Sequence, residues 1–357
     1  MRGVPAWSIV APIAGAVLFA GFAFGASGAI YGTLAGLGLV ASILAAVYHA
    51  EVIAEIVGEP FGTMILAVAI TIIEVGLIVT LMLGGGEAAQ ALARDTVFAA
   101  IMIILNAIVG ICLLVGGARH HEQEFKLQGA SSALMTLAAI SVLTLVLPNF
   151  TDTLPGPYYS ATQLAAIAVV SLVLYGTFAL VQGSRHRDHF VQEGDEGGGG
   201  NGHGGGRGTL ALGSVLLLFS LGSVVVLAKA LAPAVEGAVA AVGAPQALVG
   251  IIIAAVVLVP EGFAALRAAY GNRLQTSLNL ALGSALASIG LTIPSVAVVS
   301  LVTGWPLSLG LDNKSMVLLL LSLFVAALSL GTGRTTILPG VVHLVIFAIY
   351  LVTTIVP

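Results

Sequence analysis

Two glutamates sit where an acid is costly. The stretch from Gly62 to Thr80 is apolar along almost its whole length and carries Glu74 in its middle. The stretch from Val249 to Leu266 repeats the arrangement, with Glu261 directly after Pro260. Each is near the ~20 residues that a bilayer-spanning helix needs. A charged side chain at that depth costs several kcal/mol, so an acid there points to a pathway, a proton relay or a substrate contact. Removal from water disfavours the ionised form of a carboxylic acid, so an empty buried pair holds protons. A divalent cation brings two charges against two carboxylates and displaces those protons. Cation and protons competing for the same oxygens is the physical basis of antiport. Hard cations such as Ca2+ take about six to eight oxygen ligands, more than two carboxylates supply. The further candidates are Thr71, one turn before Glu74, then Asn106, Gln275, Asn279, Ser284 and Ser288. Pro260 adds one more, because a proline removes the hydrogen bond to the carbonyl four residues earlier, here that of Val256.

The elements that must hold these groups are membrane helices. The 357 residues are 59% hydrophobic and 8% charged, with mean hydropathy +1.11. Soluble domains carry roughly a quarter charged residues, so an ordinary soluble fold is excluded. The expected fold is an all-α integral membrane protein of about eleven transmembrane helices. The spans fall near 7–27, 31–56, 61–84, 95–117, 129–148, 160–182, 210–231, 245–270, 274–303, 313–331 and 336–356. The ninth is long enough that Pro294 is expected to kink it. The net charge of -4 is too weak to suggest a nucleic-acid partner, and the single cysteine, Cys112, packs within an apolar run.

The region 183–209 holds Arg185, His186, Arg187, His189, Glu193, Asp195, Glu196 and a glycine run. Such a composition cannot bury a core and is expected to be a flexible cytoplasmic linker. It divides the chain into an extra N-terminal helix within 1–30, a first five-helix repeat over 31–182 and a second over 210–357. Five is odd, so the two repeats run oppositely through the membrane, which is the inverted-repeat plan of secondary transporters with the site at the midplane. Aligning Thr96 with Thr276 also aligns Gly110 with Gly290. With the N-terminus cytoplasmic, the inner side holds Arg2, Arg119, Lys126, Arg185, Arg187, Arg207, Arg267, Arg273 and Arg334, against Arg94, Lys229 and Lys314 outside. That asymmetry favours a cytoplasmic N-terminus and an external C-terminus, and the expected location is the inner (plasma) membrane.

Plainer readings stand beside these. Asn106 and Asn279 serve equally as interhelical glue, and Ser284 and Ser288, flanked by Gly283 and Ala287, as a close-packing seam. His343 is expected to be packing. His120, His121 and the linker histidines lack the acid or cysteine spacing of a zinc site. Glu55 and Glu59 belong to a solvated helix end, whereas Glu51 lies deeper and could line the way in for ions.

At these residues the chain resembles a known group. Gly58-Glu59-Pro60-Phe61-Gly62-Thr63 followed by Ile72-Ile73-Glu74-Val75 is similar to the first alpha-repeat of bacterial ChaA-type calcium/proton antiporters. Pro260-Glu261 followed by the run from Asn272 to Pro294 is similar to the second. These belong to the calcium:cation antiporter superfamily, with the CAX exchangers as relatives. The resemblance implies that Glu74 and Glu261 are the alternating ligands of cation and protons, supported by Asn106, Gln275, Asn279, Ser284 and Ser288. It also puts Glu51 where CAX relatives carry an acid. Those relatives have an amide three residues before each acid; here Thr71 and Leu258 stand there.

The expected function is therefore exchange of cytoplasmic Ca2+, and by the resemblance also Na+ or K+, for external protons, with no resident cofactor. The alternative is a monovalent Na+(K+)/proton antiporter on the same acids. More remote are an intramembrane acid-dyad enzyme, which a peptide-cleavage assay would reveal, and a passive cation channel, which would conduct without moving protons. The partners are metal cations, protons and the lipid bilayer, and not nucleic acid.

Overall fold

A computed structural model describes residues 5–58, 61–84, 90–182, 207–241, 243 and 245–356. Glu59 and Pro60 of the first motif and residues 183–206 of the expected linker lie outside the described residues. In chain order the helices are α1 (Ala6–Ala23), α2 (Ala29–Val57), α3 (Phe61–Gly84), α4 (Leu92–Met102), α5 (Val109–His120), α6 (Leu127–Ser141), α7 (Ala161–Leu180), α8 (Arg207–Ala241), α9 (Ala247–Tyr270), α10 (Leu274–Thr303), α11 (Asn313–Ser329) and α12 (Ile337–Ile355). A π-helical segment, Ile103–Ile108, joins α4 to α5, so the expected fourth span is one interrupted rod. Two short strands, β1 (Gln123–Glu124) and β2 (Arg334–Thr335), pair antiparallel.

Ten of these rods are long and apolar enough to cross a membrane. The helix α11 has 17 residues, so at 1.5 Å per residue it is ~26 Å long, just short of a ~30 Å hydrocarbon core. It stops two residues before the expected limit. The first span also ends early, at Ala23 rather than near residue 27. Gly25 adopts φ 88°, and the backbone closes Ala26 N–H to Gly21 O at 2.9 Å and Gly25 N–H to Phe22 O at 3.0 Å. These are the paired bonds of a Schellman C-cap, which glycine adopts without a Cβ penalty.

The helices fall into two compact units, each drawn from both halves of the chain: Met1–Ala89 with Gly197–Val249, and Gln90–Glu196 with Gly250–Pro357. In the first unit α2 packs on α1, α3 and α8. Pro12 lies inside α1, so the carbonyl of Ser8 loses its helical donor. His49, itself buried, fills the gap by donating from Nε2 to Ser8 O at 3.1 Å. Ser223 of α8 donates to Pro12 O at 3.0 Å. A methyl at Gly15 would lie 2.6 Å from Ser42 Oγ, so only glycine lets these hydroxyl-bearing helices close on α1.

The second unit is built on two close helix pairs, α5 with α12 and α10 with α7. A methyl at Gly110 would lie 3.1 Å from His343 Cβ, and one at Gly117 only 2.6 Å from the backbone nitrogen of Ile337. A methyl at Gly290 would lie 2.7 Å from Tyr175 Cβ. Small residues that let backbones approach are how helices associate without a hydrophobic driving force. At one end of this unit the β1–β2 pair joins the loops after α5 and α11. At the other, Leu311 N–H bonds Leu145 O at 2.8 Å and Asn149 Nδ2 bonds Leu311 O at 2.8 Å. An open hollow of about 630 Å³ there is lined by Arg94, Asn149, Asp152 and Asp312 among others.

Candidate functional site

The first acid lies on α3. Glu74 is the fourteenth of the 24 residues from Phe61 to Gly84, so its depth along the helix is central. It is 5% exposed, and Thr71, on the same face one turn earlier, is also buried. The Thr71 hydroxyl donates to Ala67 O at 2.8 Å. Its proton is thus committed to the backbone, and its lone pairs stay available as acceptors. Gly76, two residues beyond the acid, faces Val225 of α8, where a methyl would lie 3.0 Å from Cγ2. Glu51 stands near the C-terminal end of α2 with its side chain exposed within this unit.

The second acid lies on α9. Glu261 is the fifteenth of the 24 residues from Ala247 to Tyr270, and Pro260 is accommodated within the helix. Both carboxylate oxygens are buried. Val256, whose carbonyl Pro260 releases, is half-buried. The glycine that follows, Gly262, faces Ile108 of the π segment: a methyl there would lie 3.4 Å from Ile108 Cδ1.

The candidates on α10 do not converge. This helix is continuous from Leu274 to Thr303. At 100° and 1.5 Å per residue, Gln275 and Asn279 lie on roughly the opposite face from Ser284 and Ser288, and ~14 Å away along the axis. Gln275 belongs to the end of the helix. Its Oε1 accepts from Lys126 N–H at 2.6 Å, and its Nε2 donates to Asn279 Oδ1 at 2.9 Å. Both amide carbonyls therefore already accept a hydrogen bond. Ser284 is half-buried and Ser288 buried, near the middle of the helix.

The turn that joins α9 to α10 is tied down. Asn272 has φ 58°, and Arg273 N–H to Ala268 O (2.9 Å) with Asn272 N–H to Ala269 O (3.1 Å) make a second Schellman cap. Buried Gln123 donates to Ala269 O at 3.2 Å and to Asn272 Oδ1 at 2.9 Å. Arg119 lies over the Tyr270 ring at 4.1 Å and donates to its hydroxyl at 2.7 Å. His120 Nε2 bonds Tyr270 O at 3.1 Å. The last carbonyls of the Glu261 helix, which a helix end leaves without partners, are thus filled from α5 and β1.

Asn106 occupies the π segment and is fully buried. Its Nδ2 donates to Ser322 Oγ of α11 at 2.8 Å, and its Oδ1 faces His343 Nδ1 of α12 at 3.2 Å. The Ser322 hydroxyl donates to Leu318 O at 2.7 Å, so toward Asn106 it is an acceptor. That fixes the amide orientation and makes His343 Nδ1 the donor. Ser329 Oγ lies 2.9 Å from His343 Nε2. His343, expected to be mere packing, is a polar hub, a correction with a physical cause: a buried imidazole needs partners for both nitrogens, and α11 and the π segment supply them. Its helical spacing relative to Asn106 gave no warning, because the two are 237 residues apart. Among the described residues no group of three or more histidine, cysteine or acidic side chains is placed to hold a metal ion.

Known proteins fit this architecture. The family profile described as "Sodium/calcium exchanger protein" matches residues 27–183 and 212–356. The putative ionic transporter y4hA of Sinorhizobium fredii is 48% identical over 99% of this chain and 97% of its own. The sodium-potassium/proton antiporter ChaA of Escherichia coli is 36% identical over 90% of this chain and 87% of its own. The solved structure of native YfkE superposes with a TM-score of 0.76 at 15% identity, covering 98% of this chain and all of that one, which speaks for the fold. A nearly all-helical membrane chain with an acid near the centre of two of its apolar helices, matched by the profile along both halves, belongs to the sodium/calcium exchanger protein family, a family of transporters rather than enzymes.

Proposed function

We propose that the chain is an antiporter in which Glu74 and Glu261 hold a cation and protons by turns, carrying cytoplasmic Ca2+ outward against inward protons. The observation that carries this reading is the matched setting of the two acids, each near the centre of a 24-residue apolar helix, Glu74 buried and Glu261 half-buried with both carboxylate oxygens covered. Nothing in ordinary helix packing requires a carboxylate there, and its cost is justified by ion chemistry. Thr71, Ser284, Ser288 and the Val256 carbonyl are the further oxygens proposed for the cation. Gln275 and Asn279 are assigned instead to the α9–α10 turn, and Glu51 to the way in. The repeats proposed over 31–182 and 210–357 are supported by reciprocal packing. The aligned glycines, Gly110 and Gly290, each seat a partner helix, α12 in one case and α7 in the other. The N-terminus is proposed to be cytoplasmic and the C-terminus external, in the plasma membrane.

A second reading, exchange of Na+ or K+ on the same acids, is favoured by Thr71 and Leu258 standing in place of amides and by the similarity to a sodium-potassium/proton antiporter. Fewer hard oxygens suit a monovalent ion better than Ca2+. Proton flux in proteoliposomes, with Ca2+, Na+ and K+ added separately, tests both. Proton movement on adding Ca2+ supports the first reading. Movement with Na+ or K+ alone supports the second, and none with any ion refutes antiport.

A further inference from the structure

We propose that His343 is a positioning residue for ion exchange, acting on Glu261 through Asn106 and the π segment; this rests on the two-acid reading above. Within the second unit the contacts are continuous. His343 Nδ1–H holds Asn106 Oδ1 at 3.2 Å, and Asn106 Nδ2–H is anchored on Ser322 at 2.8 Å. Asn106 is the fourth residue of the six-residue π segment. A π segment carries one residue more than the α-helical path allows, and such wide turns persist where side-chain contacts over-determine them. The segment ends in Ile108, whose Cδ1 would be 3.4 Å from a methyl at Gly262, the residue next to Glu261. The register of the π segment thus sets where Ile108 bears on the α9 helix beside the acid.

Several features make the network a device and not a chance contact. His343 and Asn106 are both fully buried, and Gly110 is stripped to a hydrogen to let His343 approach, a methyl there falling 3.1 Å from its Cβ. The imidazole is served on both nitrogens, with Ser329 Oγ 2.9 Å from Nε2. Charged groups on the packed elements have other partners: Arg119 and His120 of α5 are on Tyr270, Lys314 of α11 is on Thr353 O, and Arg94 and Asp95 of α4 pair with each other at 2.8 Å. The π segment carries no charged residue. Asn106 is thereby reassigned from cation ligand to the arm through which His343 acts, since its carbonyl oxygen is taken by the imidazole.

The geometry separates the two halves of the imidazole, which gives the test. His343→Asn keeps a donor at the Nδ1 position facing Asn106 and loses the Ser329 contact. His343→Gln keeps a polar atom toward Ser329 and loses the donor to Asn106. His343→Leu loses both. Each variant is purified as the full chain, reconstituted, and assayed for cation-driven proton flux over a range of cation concentration. The expected result is an apparent KM raised about fivefold in His343→Leu and in His343→Gln, the fold-change of one net hydrogen bond. His343→Asn should match the wild type, and turnover should be little changed in all three. A network that only tethers helices would lower the yield or turnover of all variants alike. Unmoved KM values, or His343→Asn as impaired as His343→Leu, would overturn the inference. Glu261→Gln, assayed alongside, separates the failures. Exchange surviving in it sinks the two-acid reading, whereas exchange abolished in it with an unmoved KM in His343→Leu sinks the inference alone.

Discussion

Replacing Gly117 by alanine should loosen the α5–α12 pair measurably. A methyl at Gly117 would lie 2.6 Å from Ile337 N, 2.8 Å from Thr336 C and 2.9 Å from Ile337 Cα. All three are backbone atoms, so no side chain can swing away; the start of α12 must move. Overpacking of this kind costs about 1–3 kcal/mol. The better helix propensity of alanine returns about 0.5–1 kcal/mol, leaving a net loss of about 1–2 kcal/mol. At about 2–4 °C per kcal/mol for a chain of a few hundred residues, the apparent melting temperature should fall by about 3–6 °C. Gly176 on α7 provides the opposite sign, because a methyl there meets nothing within 4 Å. Gly176→Ala should raise the melting temperature by about 1–3 °C from propensity alone. Thermal unfolding of the two purified variants beside the wild type measures both. A Gly117→Ala protein that melts at or above the wild type would refute the claim that these helices touch backbone to backbone.

Two further sites, the His49–Ser8 bond and the cap after α9, test how helices are tied down. His49→Leu leaves the Ser8 carbonyl, already freed by Pro12, unfilled in a buried place; it should cost about 1–3 kcal/mol. Adding Pro12→Ala, which restores the helical donor to that carbonyl, should recover at least half of the loss in a melting experiment. Asn272→Val should destabilise more than Asn272→Gly, by about 1–2 kcal/mol, because φ 58° penalises a β-branched residue while glycine accepts it. Equal melting temperatures for the two would contradict the left-handed cap.

Much of this was legible in the sequence because a buried acid in an apolar helix is a local signal. Glu74 and Glu261, the membrane helices and the family resemblance all followed from residues close together in the chain. What escaped depends on long-range geometry. The bond from His49 to Ser8 joins residues 41 apart, and the hub at His343 joins α12 to a segment 237 residues earlier. The split of the α10 candidates was readable in principle. Spacings of 4, 5 and 4 between Gln275, Asn279, Ser284 and Ser288 place the pairs on opposite faces of a helix that is continuous across them. The π segment could not be read from composition, because Ile103–Ile108 has the same apolar character as its flanks. It also shifts the phase of every residue after it, so Asn106 could not be assigned a direction in advance. The compact units mix residues from both halves of the chain, a grouping that no linear boundary announces.

The central claim is tested most directly by cation-driven proton flux in everted membrane vesicles carrying Glu74→Gln or Glu261→Gln at wild-type expression and melting temperature. Glutamine keeps the shape of each side chain and removes its ability to cycle between proton and cation. Loss of coupled flux in both variants is the predicted result. Exchange near the wild-type rate from either one would mean that the acid is structural, and the account of alternating occupancy would be wrong.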